Sequence, residues 1–520
     1  MASTAFTPEP SLDLDDAAVR ARLQAALSAQ RARLGADHLA VVAGVERASA
    51  HWLTSNAPAD ARGQGVIGRV PIATPGDVDD AVGAAWSAFA TWRTAPDEER
   101  AALLLRVAER MQAQAADLAA LVLLETGKPW TEAVGEIAES IDFLRYHVAQ
   151  LTALRARAAQ AVHPHPHEHN VYRYLPLGAG ALLPTWPFPI AQTTGMLSAA
   201  VVSGNAAVVK PASLAPITAS AVIDLWLACG APPGLVNVLF GPGVRVGQAL
   251  AAHPDTRFVT LTGSARTGLD VHAAATARHP TRRWFTRVNL ELAGNNAVVV
   301  DETADLDAAA AAIVAGAFSF QGQKCSAGSR VVVVAAVREA LVERIAARTA
   351  ALRVGDPASF DTDLGPLIDD AAAARMLRYV AIGRLEGRHV LGGERHPAGP
   401  RFVTPAVFDR VPADARLARD EVLGPVLAVI DAADLEAAFG IANATPYGLT
   451  GSFFSRDEQR LRTAADRLHV GSLYLNRKPT ASEVGFHPFG GFGLSGTDAK
   501  AGGPDYLLHY VQAQVVARRR

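Results

Sequence analysis

The chain has 520 residues, half of them apolar and 19% charged, with a formal net charge of −2. That length is more than one hydrophobic core organises, so two or three domains are expected. The near-neutral balance argues against nucleic acid or an anionic membrane as the main partner, and two cysteines make no disulfide framework, which fits a reducing compartment such as the cytoplasm. Met1 to Asp16 is acidic and lacks the basic start and apolar run of a signal peptide. The longest apolar stretch, Ala308 to Phe318, is too short to span a bilayer.

Residues 1–60 carry helical patterning, with Leu23, Leu27 and Leu34 on one spacing. Gly68 to Ile72 reads as a short strand, and Pro75-Gly76-Asp77 as a turn into a long helical region. From Val78 to about Gln160 apolar residues recur at helical spacing, among them Leu103, Leu104, Val107 and Met111, with one break at Thr126-Gly127-Lys128-Pro129. Such a layer suits the face of a parallel sheet. The histidines of His163-Pro-His-Pro-His-Glu-His169 suggest a metal at first sight. Proline at alternate positions favours instead an extended, solvated edge strand, and no metal site is expected.

From Val171 the pattern changes to short apolar runs separated by helical stretches: Gly180 to Leu183, Ala206 to Val209, Val236 to Phe240 and Phe258 to Leu261. This is βαβ spacing and predicts an open parallel sheet, whose ligand sits at the loops after the strands. Gly241-Pro-Gly243 leads into a helix through Gly247, and Thr262-Gly263-Ser264 into another. Such junctions offer free N–H groups to an anion, although the Gly-x-Gly-x-x-Gly fingerprint is absent. Glu291, in Asn289-Leu-Glu-Leu-Ala-Gly294, is either a paired core carboxylate or a base tuned by burial. A second α/β region follows: a strand Val331 to Val334, a helix Arg338 to Arg353, a strand after Glu421-Val-Leu-Gly-Pro425, a strand Gly471 to Asn476, and a last strand Tyr506 to Val516. The terminal Arg518-Arg519-Arg520 reads as a solvated tail.

The stretch Phe320 to Arg330 holds Cys325 among small and polar residues, a tight and partly open turn. A thiol becomes nucleophilic when positive charge or backbone N–H groups stabilise its thiolate, and Lys324 is adjacent. Cys229 ends an apolar, helix-compatible run and reads as an inert core residue.

Taken together these motifs resemble the aldehyde dehydrogenase superfamily from about residue 60 to the C-terminus. The matching pieces are Trp186 with Phe188-Pro189, Val209-Lys-Pro211, Leu261-Thr-Gly-Ser264, Glu291-Leu-Ala-Gly294, Gly322-Gln-Lys-Cys325, Glu421 through Gly424-Pro-Val426 and Pro488-Phe-Gly-Gly491. Phe320 through Ala327, with Ser495-Gly-Thr-Asp498 and Gly502-Gly-Pro-Asp-Tyr506, is most similar to the branch that oxidises glutamate γ-semialdehyde with NAD. The resemblance implies an α/β fold with two Rossmann-like parallel-sheet domains and a small strand-exchange flap. It places an NAD-binding domain at residues 1–160 and 177–289, a catalytic domain at 290–490, and an oligomerisation flap at 161–176 and 497–520, in a homodimer or higher homo-oligomer.

The resemblance also implies roles. Cys325 attacks the aldehyde and Glu291 activates the hydrolytic water. Trp186, Lys210, Ser213, Gly243, Gly247, Gly263, Ser264, Glu421 and Leu423 face the cofactor. Phe188 and Phe489 flank the substrate stem, while Ser326 and the Ala481-Ser482 loop hold its carboxylate. Three positions depart from the family pattern. Pro187 stands where an asparagine donates to the oxyanion, Ser213 where a carboxylate meets the adenosine ribose, and Ala481, beside Glu483, where a glycine is usual. NADP is therefore admitted beside NAD. The rival expectations are another short semialdehyde as substrate, or a catalytically impaired nucleotide-binding paralogue.

Overall fold

A computed structural model describes residues 6–60 and 65–520, so the first five residues of the Met1–Asp16 stretch lie outside the described residues. The helical layer comprises Pro75–Trp92, Asp97–Ala113, Ala115–Thr126 and Trp130–Ala159. Leu103, Leu104, Val107 and Met111 are all buried, as their spacing requires. Pro75 and Gly76 lie inside the first helix rather than in a turn before it. Thr74 is the N-cap and forms a capping box with Asp77, and proline fits the first helical turn because its missing N–H is not needed there. The expected single break at Gly127 is one of three; the chain also leaves the helix after Trp92 and at Gln114.

Two seven-stranded sheets form the body. In the first, the order is Arg287–Glu291, Phe258–Thr262, Ala179–Leu183, Ala206–Val209, Val236–Val238, Ala40–Val42 and Val45–Arg47. The first five strands are parallel, and the antiparallel pair at the far edge comes from N-terminal strands that the helical pattern of residues 1–60 concealed. Gly180 is a packing requirement: a Cβ there would lie 2.2 Å from the Phe258 ring on the neighbouring strand. In the second sheet the order is Arg388–Leu391, Ala406–Asp409, Val426–Ala432, Arg330–Val334, Ala297–Val300, Thr450–Phe454 and Ser472–Leu475, parallel except at the first edge. Its central valines, Val298 to Val300 and Val331 to Val333, are buried, as both-face coverage of a parallel sheet demands.

The two sheets meet end to end. The first presents the C-terminal ends of its strands, and the second the N-terminal ends, because the chain leaves Glu291 and enters Ala297 within a few residues. In the first sheet the strand order reverses between Ala179–Leu183 and Phe258–Thr262, which opens a crevice where ligands characteristically bind.

The strand Glu168–Pro176 pairs antiparallel with Val511–Arg519 in a two-stranded sheet of its own. Three expectations need correction here. Tyr506–Tyr510 is a 3₁₀ turn with Tyr506, Leu507 and Tyr510 buried, so the last strand begins only at Val511. Arg518 and Arg519 are solvated, as expected, but form the end of that strand rather than a tail, opposite His169 and Glu168. The proline-histidine segment likewise reaches strand geometry only from Glu168; His165 and His167 sit in the preceding turn. Among the described residues no cluster of three or more His, Cys, Asp or Glu is placed to hold a metal, and no helix is long and apolar enough to cross a membrane.

Candidate active site

Cys325 is carried on a turn built from left-handed residues. Phe320, Gln321 and Gly322 have φ of 50°, 56° and 65° in succession. Left-handed backbone costs an L-residue about 1–2 kcal/mol, so Phe320 and Gln321 need fixing from outside. Gln321 Nε2 donates to the carbonyls of Gly127 (3.1 Å) and Pro366 (2.6 Å), and Ile368 N–H donates to Gln323 Oε1 at 3.0 Å. The Phe320 ring is buried 6.1 Å from Trp186 and 6.4 Å from Phe188. Beyond the thiol, Asn296 Nδ2 donates to the carbonyls of Cys325 (2.7 Å) and Ala327 (2.8 Å). Gly294 must be glycine, because a Cβ would meet the Cys325 carbonyl at 2.4 Å. The thiol is held rigidly at the mouth of the second sheet.

Lys324 does not supply the thiol with positive charge. Its ammonium pairs with Glu132 at 2.7 Å and donates to Ser319 Oγ at 3.1 Å. Burial pushes the Cys325 thiol well above its ordinary pKa; Glu291 and Glu421 push it further, against the backbone N–H groups of Ser326 and of Cys325 itself. A catalytic thiolate here needs added positive charge or a base. Glu291 closes the strand Arg287–Glu291 and is raised to about 7 by burial, with Lys500 opposing. Its backbone is clamped by Gly263 N–H on the Glu291 carbonyl (3.1 Å) and by Ser495-Gly496-Thr497 alongside. Gly496, at φ 150°, is another position that only glycine fits, with Leu290 O 2.4 Å from a notional Cβ. Cys229, by contrast, caps the helix Pro216–Ala228, its Sγ donating to Arg106 O at 3.5 Å, and is half-buried, packed against the edge of the first core rather than inside it.

Cys325 and Glu291 open onto one cavity of about 570 Å³. Phe188 and Phe489 line it together, and so do Ser326, Ala481 and Ser482. The turn that carries Phe188 is positioned by a device the sequence did not announce: a buried Lys128–Glu136 ion pair. Glu136 also accepts from the N–H groups of Ile190 (2.8 Å) and Ala191 (3.2 Å), capping the helix Pro189–Val202, while the Lys128 ammonium lies 3.9 Å from the Phe188 ring centre. Ala481 adopts φ 62°, the left-handed region that a glycine would occupy freely, and Ser482 Oγ is 2.5 Å from Tyr474 Oη. Two further carboxylates of the helix Trp130–Ala159 face the cavity. Glu139 is raised to about 8 by burial and by Glu136, and Asp142 to about 6 by burial.

The remaining candidates lie outside this cavity. Lys210 is buried, and burial lowers its ammonium to about 8; it donates to the carbonyls of Pro211 and, at 3.5 Å, Gly241, and Ser213 Oγ donates to Gly241 O at 3.2 Å. Ser264 is the N-cap of the helix Ala265–Thr276, and Gly243 opens the turn of helix through Gly247. A Cβ added at Gly243 would meet nothing within 4 Å, and at Gly263 nothing nearer than 3.9 Å. These two glycines therefore leave bare backbone facing open space, the cradle an extended dinucleotide requires. Glu421 and Leu423 line a small second hollow with Gly294. Gly294 N–H donates to Glu421 at 3.2 Å, and burial raises that carboxyl to about 7. Lys324 borders both spaces, so the Cys325 turn separates the larger cavity from the small hollow at Glu421.

The chain belongs to the aldehyde dehydrogenase family, whose profile matches residues 46–516. Within it the similarity is to one branch. The chain is 40% identical to the 1-pyrroline-5-carboxylate dehydrogenase of Geobacillus sp. (strain WCH70) over 512 residues, 98% of this chain and 99% of that protein. It matches 1-pyrroline-5-carboxylate dehydrogenase from Thermus with bound NAD at a TM-score of 0.97 and 40% identity, covering all of both chains. Proline utilization A from Bdellovibrio bacteriovorus matches at 0.96 and 36% identity over all of this chain and 54% of that one.

Proposed function

We propose that the protein oxidises L-glutamate γ-semialdehyde, the open form of 1-pyrroline-5-carboxylate, to L-glutamate with NAD, the second step of proline breakdown. The observation that carries this reading is the single cavity in which Cys325 and Glu291 meet groups suited to both ends of an amino-acid aldehyde. Cys325 Sγ adds to the aldehyde carbon to give a thiohemiacetal. Its oxyanion takes the backbone N–H of Cys325 as main donor, because Pro187 offers none. NAD, held by the residues named below, would supply the hydride acceptor for that carbon, and Cys325 would then carry the acyl group as a thioester. Glu291 then removes a proton from water, which attacks the thioester and frees the carboxylate and the thiol.

Phe188 and Phe489 flank the substrate's stem. Ser326 and the Ala481-Ser482 loop hold its α-carboxylate, and Glu139 and Asp142 suit its ammonium, whose approach favours the ionised carboxylates. Lys210 and Ser213 bind the adenosine ribose, Gly243, Gly247, Gly263 and Ser264 the pyrophosphate, and Glu421 with Leu423 the nicotinamide ribose; Trp186 closes the crevice beside Phe320. The domain divisions stated for the sequence remain part of this proposal, as do a cytoplasmic location and a homo-oligomer joined through the strand Val511–Arg519, whose residues beyond Val511 are exposed. Steady-state NADH formation across a panel of semialdehydes tests the substrate: glutamate γ-semialdehyde is expected to give the highest kcat/KM. Glu483, exposed at the cavity rim, favours a second reading, a short semialdehyde without an α-carboxylate. A roughly tenfold preference for such a compound would decide for it.

A further inference from the structure

Pro8, Glu9 and Ser11 line the same cavity as Cys325, although they lie more than 300 residues from it in sequence. The segment is strapped down on both sides. Glu9 N–H donates to Asp142 Oδ1 at 2.7 Å, and the Glu9 carboxylate, 11% exposed, accepts from Arg145 Nη1 at 2.6 Å and Gln112 Nε2 at 2.8 Å. Across the opening, the Phe6 ring packs edge-on against Tyr146 at 5.2 Å and lies 6.4 Å from Phe486. Phe6, Tyr146, Phe143 and Val484 form a small apolar cluster separate from the sheet cores. The strap thus joins the helix Trp130–Ala159 to the Ala481–Phe486 loop and lines the cavity between them. It also sets the charge there. Glu9 occupies Arg145, and its N–H occupies one oxygen of Asp142, whereas the Glu139 carboxylate, like that of Glu291, has no hydrogen-bond partner among the described residues.

We propose that Phe6–Ser11 is a specificity-determining wall of the aldehyde site. It seals the end remote from Cys325 and selects short aldehydes with a charged terminus over longer apolar ones. The proposal rests on the reading of this cavity as an aldehyde site.

The test uses the full chain with Cys229→Ser, which leaves Cys325 as the only thiol. Residues 2–11 are deleted in one variant, and Phe6→Ala with Glu9→Gln are combined in another, which keeps the test available if the deletion does not fold. Two quantities are read: the rate of Cys325 alkylation by iodoacetamide, and kcat and KM for glutamate γ-semialdehyde, propanal and hexanal. Opening the wall is expected to speed alkylation and to raise the semialdehyde KM, each roughly tenfold in the deletion and less in the double variant, while kcat with propanal holds and hexanal improves. Unchanged alkylation and an unchanged substrate ranking in the folded variants would overturn the proposal. Alkylation reports the wall without reference to the natural substrate. A parent enzyme that ignores the semialdehyde, yet is alkylated faster once opened, would sink the substrate reading and leave the wall standing.

Discussion

Glu291→Gln separates the two halves of the chemistry. The substitution keeps the side chain's size and burial and removes only its capacity to take a proton. Loss of a positioned general base costs about 10²–10⁴-fold in the step it serves. The variant should therefore release a burst of about one NADH per site, and then turn over at least roughly 100-fold more slowly than the parent. The same carboxyl sets a pH limb. Burial raises it to about 7, and the base works deprotonated, so deacylation falls as pH drops through that value. The ionised fraction goes from about 9% at pH 6 to about 91% at pH 8, so the rate should rise roughly tenfold between them. Hydrolysis of an acyl-enzyme loaded with p-nitrophenyl acetate isolates this step from the thiol's own ionisation. Lys500 opposes the shift, so Lys500→Met should move the limb to higher pH. A limb near the ordinary glutamate value, or one that survives in Glu291→Gln, would refute the assignment.

Ala481→Gly removes left-handed strain of about 1–2 kcal/mol against about 0.5–1 kcal/mol of added chain entropy. A small gain in denaturation midpoint and a lower KM for the semialdehyde are expected, and a higher KM would count against the carboxylate loop. Pro187→Asn restores a side-chain donor, and kcat should rise by roughly 100-fold against at most about 1 kcal/mol of loosened loop; no gain in a folded variant that still binds cofactor would mean another group already serves the oxyanion. Ser213 carries no charge to repel a 2′-phosphate, so the ratio of kcat/KM for NAD over NADP should stay below about a thousandfold. A larger ratio would show that another group excludes the phosphate.

What was legible in the sequence was local. Cys325 stood out because small polar neighbours around a thiol mark a turn, and the valine run at 331–333 read as a strand, which the structure buries. The turns after the strands ending at Val209, Val238 and Thr262 were expected from the parallel βαβ pattern, and the structure has them. Cys325 and Glu421 instead precede their strands, because the two sheets meet C-terminal end to N-terminal end. What stayed hidden were partners far apart in the chain. Lys324 looked available to the thiol until Glu132, 192 residues away, was found to hold it. Glu136 caps a helix 54 residues on, and the strap at Glu9 reaches Arg145 across 136 residues. Tyr506–Tyr510 has the apolar content of a strand, and only its burial as a turn beneath the cavity distinguishes it. The strands Ala40–Val42 and Val45–Arg47 are too short for periodicity to register.

The central claim is that Cys325 forms the covalent bond to the aldehyde, and one comparison meets it head on. NADH formation from glutamate γ-semialdehyde is followed for the parent and for Cys325→Ala, with NAD binding measured on both. The account predicts that NADH formation in Cys325→Ala falls to background while NAD binds nearly as before; dehydrogenase activity above a trace in that variant would contradict it.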